Sequence, residues 1–149
     1  MKIRPYCEND YQKILDIYAE SKLDELRFEK TKFELLPLDK DKERLAELTE
    51  SDIYVYEDKE IIGYAALFKS EIRALFVCPT ARSRGIGTCL LEFLLSKIND
   101  AATLYVAKTN MPAKQLYQKY GFSVTNEFQT EYNGKPVFAS EMVRNTSHG

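Results

Sequence analysis

Hydrophobic positions along the chain change rhythm several times, and each change marks an element. Ile3-Arg4-Pro5 is a short extended start; Asn9-Asp10 then offers a helix N-cap, and Tyr11, Ile14, Leu15, Ile17 and Tyr18 recur at helical spacing. From Leu23 to Leu48 the spacing is looser, with Phe28, Phe33, Leu35 and Leu36 before Pro37 and Leu45 and Leu48 after it. This predicts two helices broken near Pro37-Leu38-Asp39, because proline cannot continue a helix. Asp52–Tyr56 and Ile61–Phe68 are β-rich runs on either side of the charged turn Glu57-Asp58-Lys59-Glu60, the pattern of a hairpin.

Glu71–Val77 forms a further strand, stopped by Pro79, in which Ile72 and Ala74 give no sign of a bulge. A helix is predicted from Gly85 to Ile98 on the spacing of Ile86, Cys89, Leu90, Phe93, Leu94 and Ile98, followed by a short buried strand at Ala102–Val106. Asn110 can cap a helix through Met111, Ala113, Leu116, Tyr117 and Tyr120 that stops at Gly121. Two last strands, Phe122–Gln129 and Lys135–Val143, meet near Tyr132-Asn133-Gly134, whose Asn-Gly pair favours a tight turn. Strand followed by helix twice, between flanking strands, is an α/β (α+β) order.

Composition narrows this picture. The 149 residues suit one domain, expected over residues 1–144, with a polar tail at 145–149. No run of about eighteen apolar residues and no leader-like start is present, so the expectation is a cytoplasmic protein with no membrane partner. Cys7, Cys78 and Cys89 are odd in number and lack CxxC spacing, and the one histidine, His148, lies in the tail. Neither a disulfide framework nor a metal site is expected, and mechanisms that need a positioned imidazole are disfavoured. The net charge of −2 hides an acidic stretch: residues 21–60 carry eight Lys or Arg against thirteen Asp or Glu, a net of −5. Nucleic acid is not an expected partner for such a chain.

The chemistry concentrates in Arg82-Ser83-Arg84-Gly85-Ile86-Gly87-Thr88, at the start of a helix. Unpaired N–H groups there sit at the positive end of the helix dipole, glycines let the main chain approach a ligand, and Arg82, Arg84 and Thr88 add donors: an anion site. An ordinary helix start with two solvated arginines is the plainer alternative. A P-loop requires Lys-Ser or Lys-Thr after its second glycine, where Thr88-Cys89 stand, and a Rossmann fingerprint requires glycine where Leu90 stands. Neither nucleotide motif is met.

The segment from Val77 to Thr88 resembles the acetyl-CoA signature of the GNAT superfamily of N-acetyltransferases, with Arg82, Gly85 and Gly87 at its fixed positions. Asn110 to Phe122 is similar to that superfamily's second block, through its Asn, its Ala, the Leu116-Tyr117 pair and the closing Gly121-Phe122. The resemblance runs over roughly residues 51–143 and leaves 22–50 matched only as a helical insert. It implies a mixed, mostly antiparallel sheet of about seven strands flanked by about four helices. The sheet would be splayed between Leu75–Val77 and Leu104–Val106 to admit the cofactor.

The activity implied is direct acetyl transfer from acetyl-CoA, as cosubstrate and without metal, to a primary amine of a small molecule, a protein lysine or an N-terminus. The pyrophosphate would rest on the N–H groups of Arg84, Gly85, Ile86, Gly87 and Thr88, in the loop that includes Ser83, with Arg82 beside it. The backbone of Leu75 and Val77 would hold the pantetheine arm and thioester, and Asn110 would cap its helix and touch the pantetheine. Tyr117, two turns beyond Asn110 on the same helix face, would protonate the departing thiolate; a phenol at about 10 lies close enough to a thiol at about 8.5. Glu71 is the nominated base for the amine, with Tyr54, Tyr56 and Tyr64 as unranked alternatives. The acidic stretch is either a solvated helical face or an attractor for a cationic amine such as a polyamine, an aminoglycoside or a lysine side chain. Two other readings stay open, a CoA-binding module without catalysis and an enzyme for a longer acyl-CoA. Small members of the superfamily often pair as homodimers, and nothing in this sequence fixes an interface.

Overall fold

A computed structural model describes residues 2–82 and 84–145. In chain order its elements are β1 (Lys2–Pro5), α1 (Tyr11–Ser21), α2 (Lys42–Thr49), β2 (Asp52–Asp58), β3 (Glu60–Phe68), β4 (Glu71–Val77), α3 (Ile86–Ser96), β5 (Ala102–Ala107), α4 (Met111–Lys119), β6 (Ser123–Tyr132) and β7 (Lys135–Arg144). The strands form one sheet in the order β1-β2-β3-β4-β5-β7-β6. Every neighbouring pair is antiparallel except β4 and β5, which run parallel. The mixed, mostly antiparallel sheet expected from the sequence is therefore present, with the expected four helices.

Alternation along β3 assigns the two layers. Ala65 and Leu67 face a core that includes Leu90, Leu91 and Leu94 of α3 with Leu104 and Met142, whereas Tyr64 and Ala66 face Ile14, Ile17 and Tyr18 of α1 with Val55. Ile61 through Leu67 are accordingly buried on both sides, which is why this strand is a continuous apolar run in the sequence. The last hairpin closes as its sequence predicts, with Asn133 and Gly134, at φ 50° and 81°, joining β6 to β7. The expected turn over Glu57-Asp58-Lys59-Glu60 narrows to Lys59 alone, at φ 68°, because its flanking residues continue the strands.

The stretch before Pro37 departs from expectation. Instead of a helix, α1 passes into a short 3-10 turn over Lys22–Leu26, and no regular element follows until a second such turn at Leu38–Lys40. The β6–β7 hairpin holds this segment by its backbone. The Leu36 N–H donates to the Tyr132 hydroxyl (2.7 Å), Asn133 Nδ2 donates to Glu34 O (3.1 Å), and Lys135 Nζ donates to Lys32 O (2.8 Å). These carbonyls and amides are the groups a helix would have paired internally, so tertiary bonding replaces helical bonding. Leu26 and Phe33 are buried with Tyr132 and Val137 in a small third core, so their spacing reflects contact with the hairpin and not a helical face.

The start of α1 also differs in detail. Asp10 does not cap the helix; its carboxylate takes Arg4 Nη1 and Nη2 at 2.9 and 3.0 Å and the Cys7 N–H at 2.9 Å. Arg4 also donates Nε to Glu57 (3.0 Å), tying β1, β2 and the entry to α1 together. The Arg4 guanidinium holds the buried Asp10 carboxyl at about 2, below its usual 3.8. Because the folded-state value is depressed, this stabilisation is complete above about pH 4 and is lost as pH falls toward 2. Urea titrations between pH 5 and pH 2 are expected to show the wild type losing on the order of 1–2 kcal/mol more than Asp10→Asn, which lacks this titration.

Candidate active site

The site originates where two strands part. β4 and β5 are paired only at Glu71 with Thr103 and Ile72 with Leu104. On the other edge of β4, Ile72 pairs with Leu67 and Ala74 with Ala66, so Arg73 is an extra, bulged residue. This corrects the expectation of an unbulged strand. A bulge adds local twist, and it falls at the point beyond which no β4–β5 pairing exists. The Cys78 N–H reaches back to Ile62 O (2.9 Å), so strand alternation turns the N–H and C=O groups of Val77 and Leu75 to the opposite, parted edge. Val77 O accepts a hydrogen bond there from Ser21 Oγ (3.3 Å).

Two cavities meet at the parting. One, of about 500 Å³, is lined by Leu75, Val77, Arg82, Gly85, Ile86, Gly87, Thr88, Asn110 and Tyr117 together with Ser21, Asp24 and Glu25. The other, of about 240 Å³, lies toward α1 and α2 and is lined by Tyr18, Lys22, Arg44, Glu47, Tyr64 and Arg73 among others. Glu25, Leu75, Phe76, Asn110, Ala113 and Tyr117 line both. Nine of the twelve residues singled out from the sequence thus lie around one space.

At the mouth of the larger cavity, Gly85 precedes α3 in the left-handed region at φ 77°, where a side chain would be strained, and open space surrounds the position a Cβ would take. The first helical bond at this end runs from the Cys89 N–H to Gly85 O, leaving the N–H groups of Ile86, Gly87 and Thr88 ahead of the helical ladder. Arg82 forms an ion pair with Asp24 beside them. Arg84 is not among the lining residues; its guanidinium is half exposed and pairs with Asp58 at 2.7 Å. The expected role of Ser83 lies outside the described residues.

The helix α4 fixes the other wall. Asn110 Oδ1 caps it by accepting from the Ala113 N–H (3.4 Å), which leaves the Nδ2 donor for the cavity. Its C-terminus closes with the Gly121 N–H on Gln118 O and the Phe122 N–H on Tyr117 O, and Gly121 has φ 95°. This is a Schellman stop, and its usual apolar contact is made by the buried Phe122 ring edge-on to Tyr117 at 5.9 Å. The closing Gly-Phe pair of the second sequence block is therefore what seats Tyr117. Burial pushes the Tyr117 phenol above its ordinary range, and the nearby Glu25 carboxylate pushes it further.

Glu71 is not brought to this space. It sits at the paired end of β4 opposite Thr103, within 3.4 Å of Arg73 Nε, and lines neither cavity. Among the described residues, Glu25 is the carboxylate that lines both cavities. It lies in the 3-10 turn after α1, paired with Lys22 at 3.5 Å. No local pattern marked it, since a loosely helical reading of residues 23–36 gives no reason to aim one acid inward. Much of the acidic excess of residues 21–60 is committed to ion pairs: Asp24 with Arg27, Asp41 with Arg44, Glu50 with Arg73, Glu57 with Arg4 and Glu60 with Lys13.

Known proteins resemble this chain in sequence and in fold. The chain is 33% identical over 84 residues to the peptidyl-lysine N-acetyltransferase YjaB of Salmonella typhimurium, an alignment spanning 56% of this chain and only 57% of that protein. The solution structure of apo-form YjaB from Escherichia coli superposes with a TM-score of 0.71 at 25% identity, covering 98% of each chain. A GNAT superfamily phosphinothricin acetyltransferase from Sinorhizobium meliloti, solved in complex with AcCoA, gives a TM-score of 0.72 at 21% identity, covering 99% of this chain and 89% of that one. The model of the acetyltransferase (GNAT) domain matches residues 49–124, just over half of the 149, and the chain belongs to that family.

Proposed function

We propose that the protein is an N-acetyltransferase that moves the acetyl group of acetyl-CoA directly to a primary amine, with Tyr117 as general acid and Glu25 as general base. The observation that carries this reading is the placement of one phenol and one carboxylate at the junction of two cavities, beside the unpaired edge of Leu75–Val77. The larger cavity fits acetyl-CoA. The free N–H groups of Ile86, Gly87 and Thr88 suit its pyrophosphate, and the open space at Gly85 lets the phosphates approach. The edge of Leu75 and Val77 suits its extended pantetheine arm, and a main-chain N–H there is a donor for the oxygen of the thioester as charge develops on it. The naming of YjaB as a peptidyl-lysine N-acetyltransferase, and the AcCoA in the Sinorhizobium enzyme, support the same class.

The proton inventory then closes. An ammonium cannot attack, so Glu25 takes one proton and frees the nitrogen lone pair. The C–N bond forms as the C–S bond breaks, and Tyr117 gives its proton to the sulfur. The second proton leaving nitrogen returns to Tyr117, and Glu25 releases its own to water. Burial keeps this phenol protonated across the neutral range but makes it a weaker acid than an exposed one, so its proton moves to sulfur in concert with the one that nitrogen returns to it.

With acetyl-CoA and a panel of amines, free thiol is expected to appear in a colorimetric assay. Binding of CoA with no thiol release on any amine would instead make the chain a binding module. Tyr117→Phe is expected to lower kcat by about 10²-fold to 10⁴-fold with CoA affinity unchanged, and unchanged turnover would remove Tyr117 from the acid role. Glu25→Gln should lower kcat/KM at neutral pH and recover as pH approaches the acceptor's own pKa. For the wild type, the fall in rate from loss of the Tyr117 proton is expected only above about pH 10, because its value is raised.

Asp24 places a negative charge at the expected phosphate site and holds Arg82 in an ion pair. Asp24→Asn is therefore expected to tighten acetyl-CoA binding by about threefold to tenfold in isothermal titration, most at low salt.

A further inference from the structure

The smaller cavity is lined by charges of both signs, with Glu25 and Glu47 against Lys22, Arg44 and Arg73. Glu25 and Tyr117 also line the larger cavity. Lys22, Arg44 and the phenol of Tyr18 line the smaller cavity alone, Lys22 within 3.5 Å of Glu25. Tyr18 is 3% exposed, and its hydroxyl has no hydrogen-bond partner among the described residues. Tyr132, near enough for the two phenols to interact, uses its own hydroxyl on the N–H and carbonyl of Leu36. Lys22 Nζ lies 5.2 Å and Arg44 Cζ 5.1 Å from the centre of the Tyr132 ring, and Lys22 Nζ is 6.0 Å from that of Tyr18.

A buried hydroxyl without a partner costs stability unless a ligand or water completes it. Here the orphan is a phenol O–H beside two cations, which is a donor set for an anion. Each cation already has one carboxylate, Lys22 with Glu25 and Arg44 with Asp41, but Arg44 commits Nη1 to that bond and keeps further donors on its fork. A simple polyamine or a lysine side chain would bring another cation to Lys22 and Arg44 and leave the Tyr18 hydroxyl unused. A molecule that carries both an amine and a carboxylate supplies a partner to Glu25 and to the Tyr18, Arg44 and Lys22 donors at once, and about 240 Å³ is room for one of amino-acid size.

We infer that the acceptor is a small amino-carboxylate, such as a free amino acid, whose amine faces Glu25 and the thioester and whose carboxylate is held by Tyr18, Arg44 and Lys22. This rests on the acetyl-transfer reading above and narrows its acceptor.

The test compares L-amino acids with their own carboxamides in the thiol-release assay, alongside spermidine and a lysine-containing peptide. The acids are expected to exceed their carboxamides by at least about 30-fold in kcat/KM, mostly through KM, and Tyr18→Phe and Arg44→Gln are expected to shrink that ratio to below about fivefold. Should either variant fail to fold, calorimetric binding of the preferred acid and its carboxamide to the wild-type protein reads the same preference. Equal use of acid and carboxamide, or a preference for spermidine or the peptide, would overturn the inference and leave acetyl transfer standing. If no amine releases thiol, acetyl transfer fails, and the binding comparison still decides: preference for the acid upholds the anion site, and equal binding rejects it.

Discussion

The site depends on two parallel strands that stop bonding to each other. β4 and β5 share two residue pairs and then separate past the bulge at Arg73, which strips the edge at Leu75 and Val77 of its partner strand. Unpaired main-chain groups inside a protein are costly, so such an edge persists only when something else satisfies it or water reaches it. Ser21 Oγ meets part of that need at Val77 O. The rest is available to an extended ligand that lies along β4 as a strand would. A cleft through the sheet follows, with one cavity on each side of it and Tyr117 and Glu25 at the join.

Much of this was legible because local physics and tertiary need coincide in particular residues. Asn110 is a cap in the sequence and a cap in the structure, and Gly121 ends α4 at positive φ as a glycine there should. Gly85 and Gly87 mark the start of α3, and the Asn-Gly turn of the last hairpin is where the pattern put it. The wall around the starts of α3 and α4 is built from such self-announcing pieces. It lies within the region, residues 49–124, in which the family model matches.

The segment between α1 and α2 was illegible for a physical reason. Over residues 32–36 the bonds to Lys32 O, Glu34 O and the Leu36 N–H come from side chains some hundred residues further along, at Lys135, Asn133 and Tyr132. Long-range bonding of this kind leaves no period in the local sequence. Glu25 was missed for the same reason, since its direction is set by how the turn after α1 is pinned and not by neighbours at helical spacing. Glu71 was the more visible acid because it opens a clear strand, yet that strand end is where β4 and β5 are still joined. The bulge at Arg73 had no glycine or proline to announce it, and the ion pair of Arg84 with Asp58 was equally hidden.

The hairpin's grip on residues 32–36 has an evolutionary corollary. Tyr132, Asn133 and Lys135 read carbonyls and an amide, which every residue type except proline supplies alike. The anchoring is therefore indifferent to most side chains in the strap, and exposed positions such as Lys32 and Glu34 can drift without loosening it. The strap can in this way be rewritten residue by residue while its path stays the same, so its surface changes with little cost in folding.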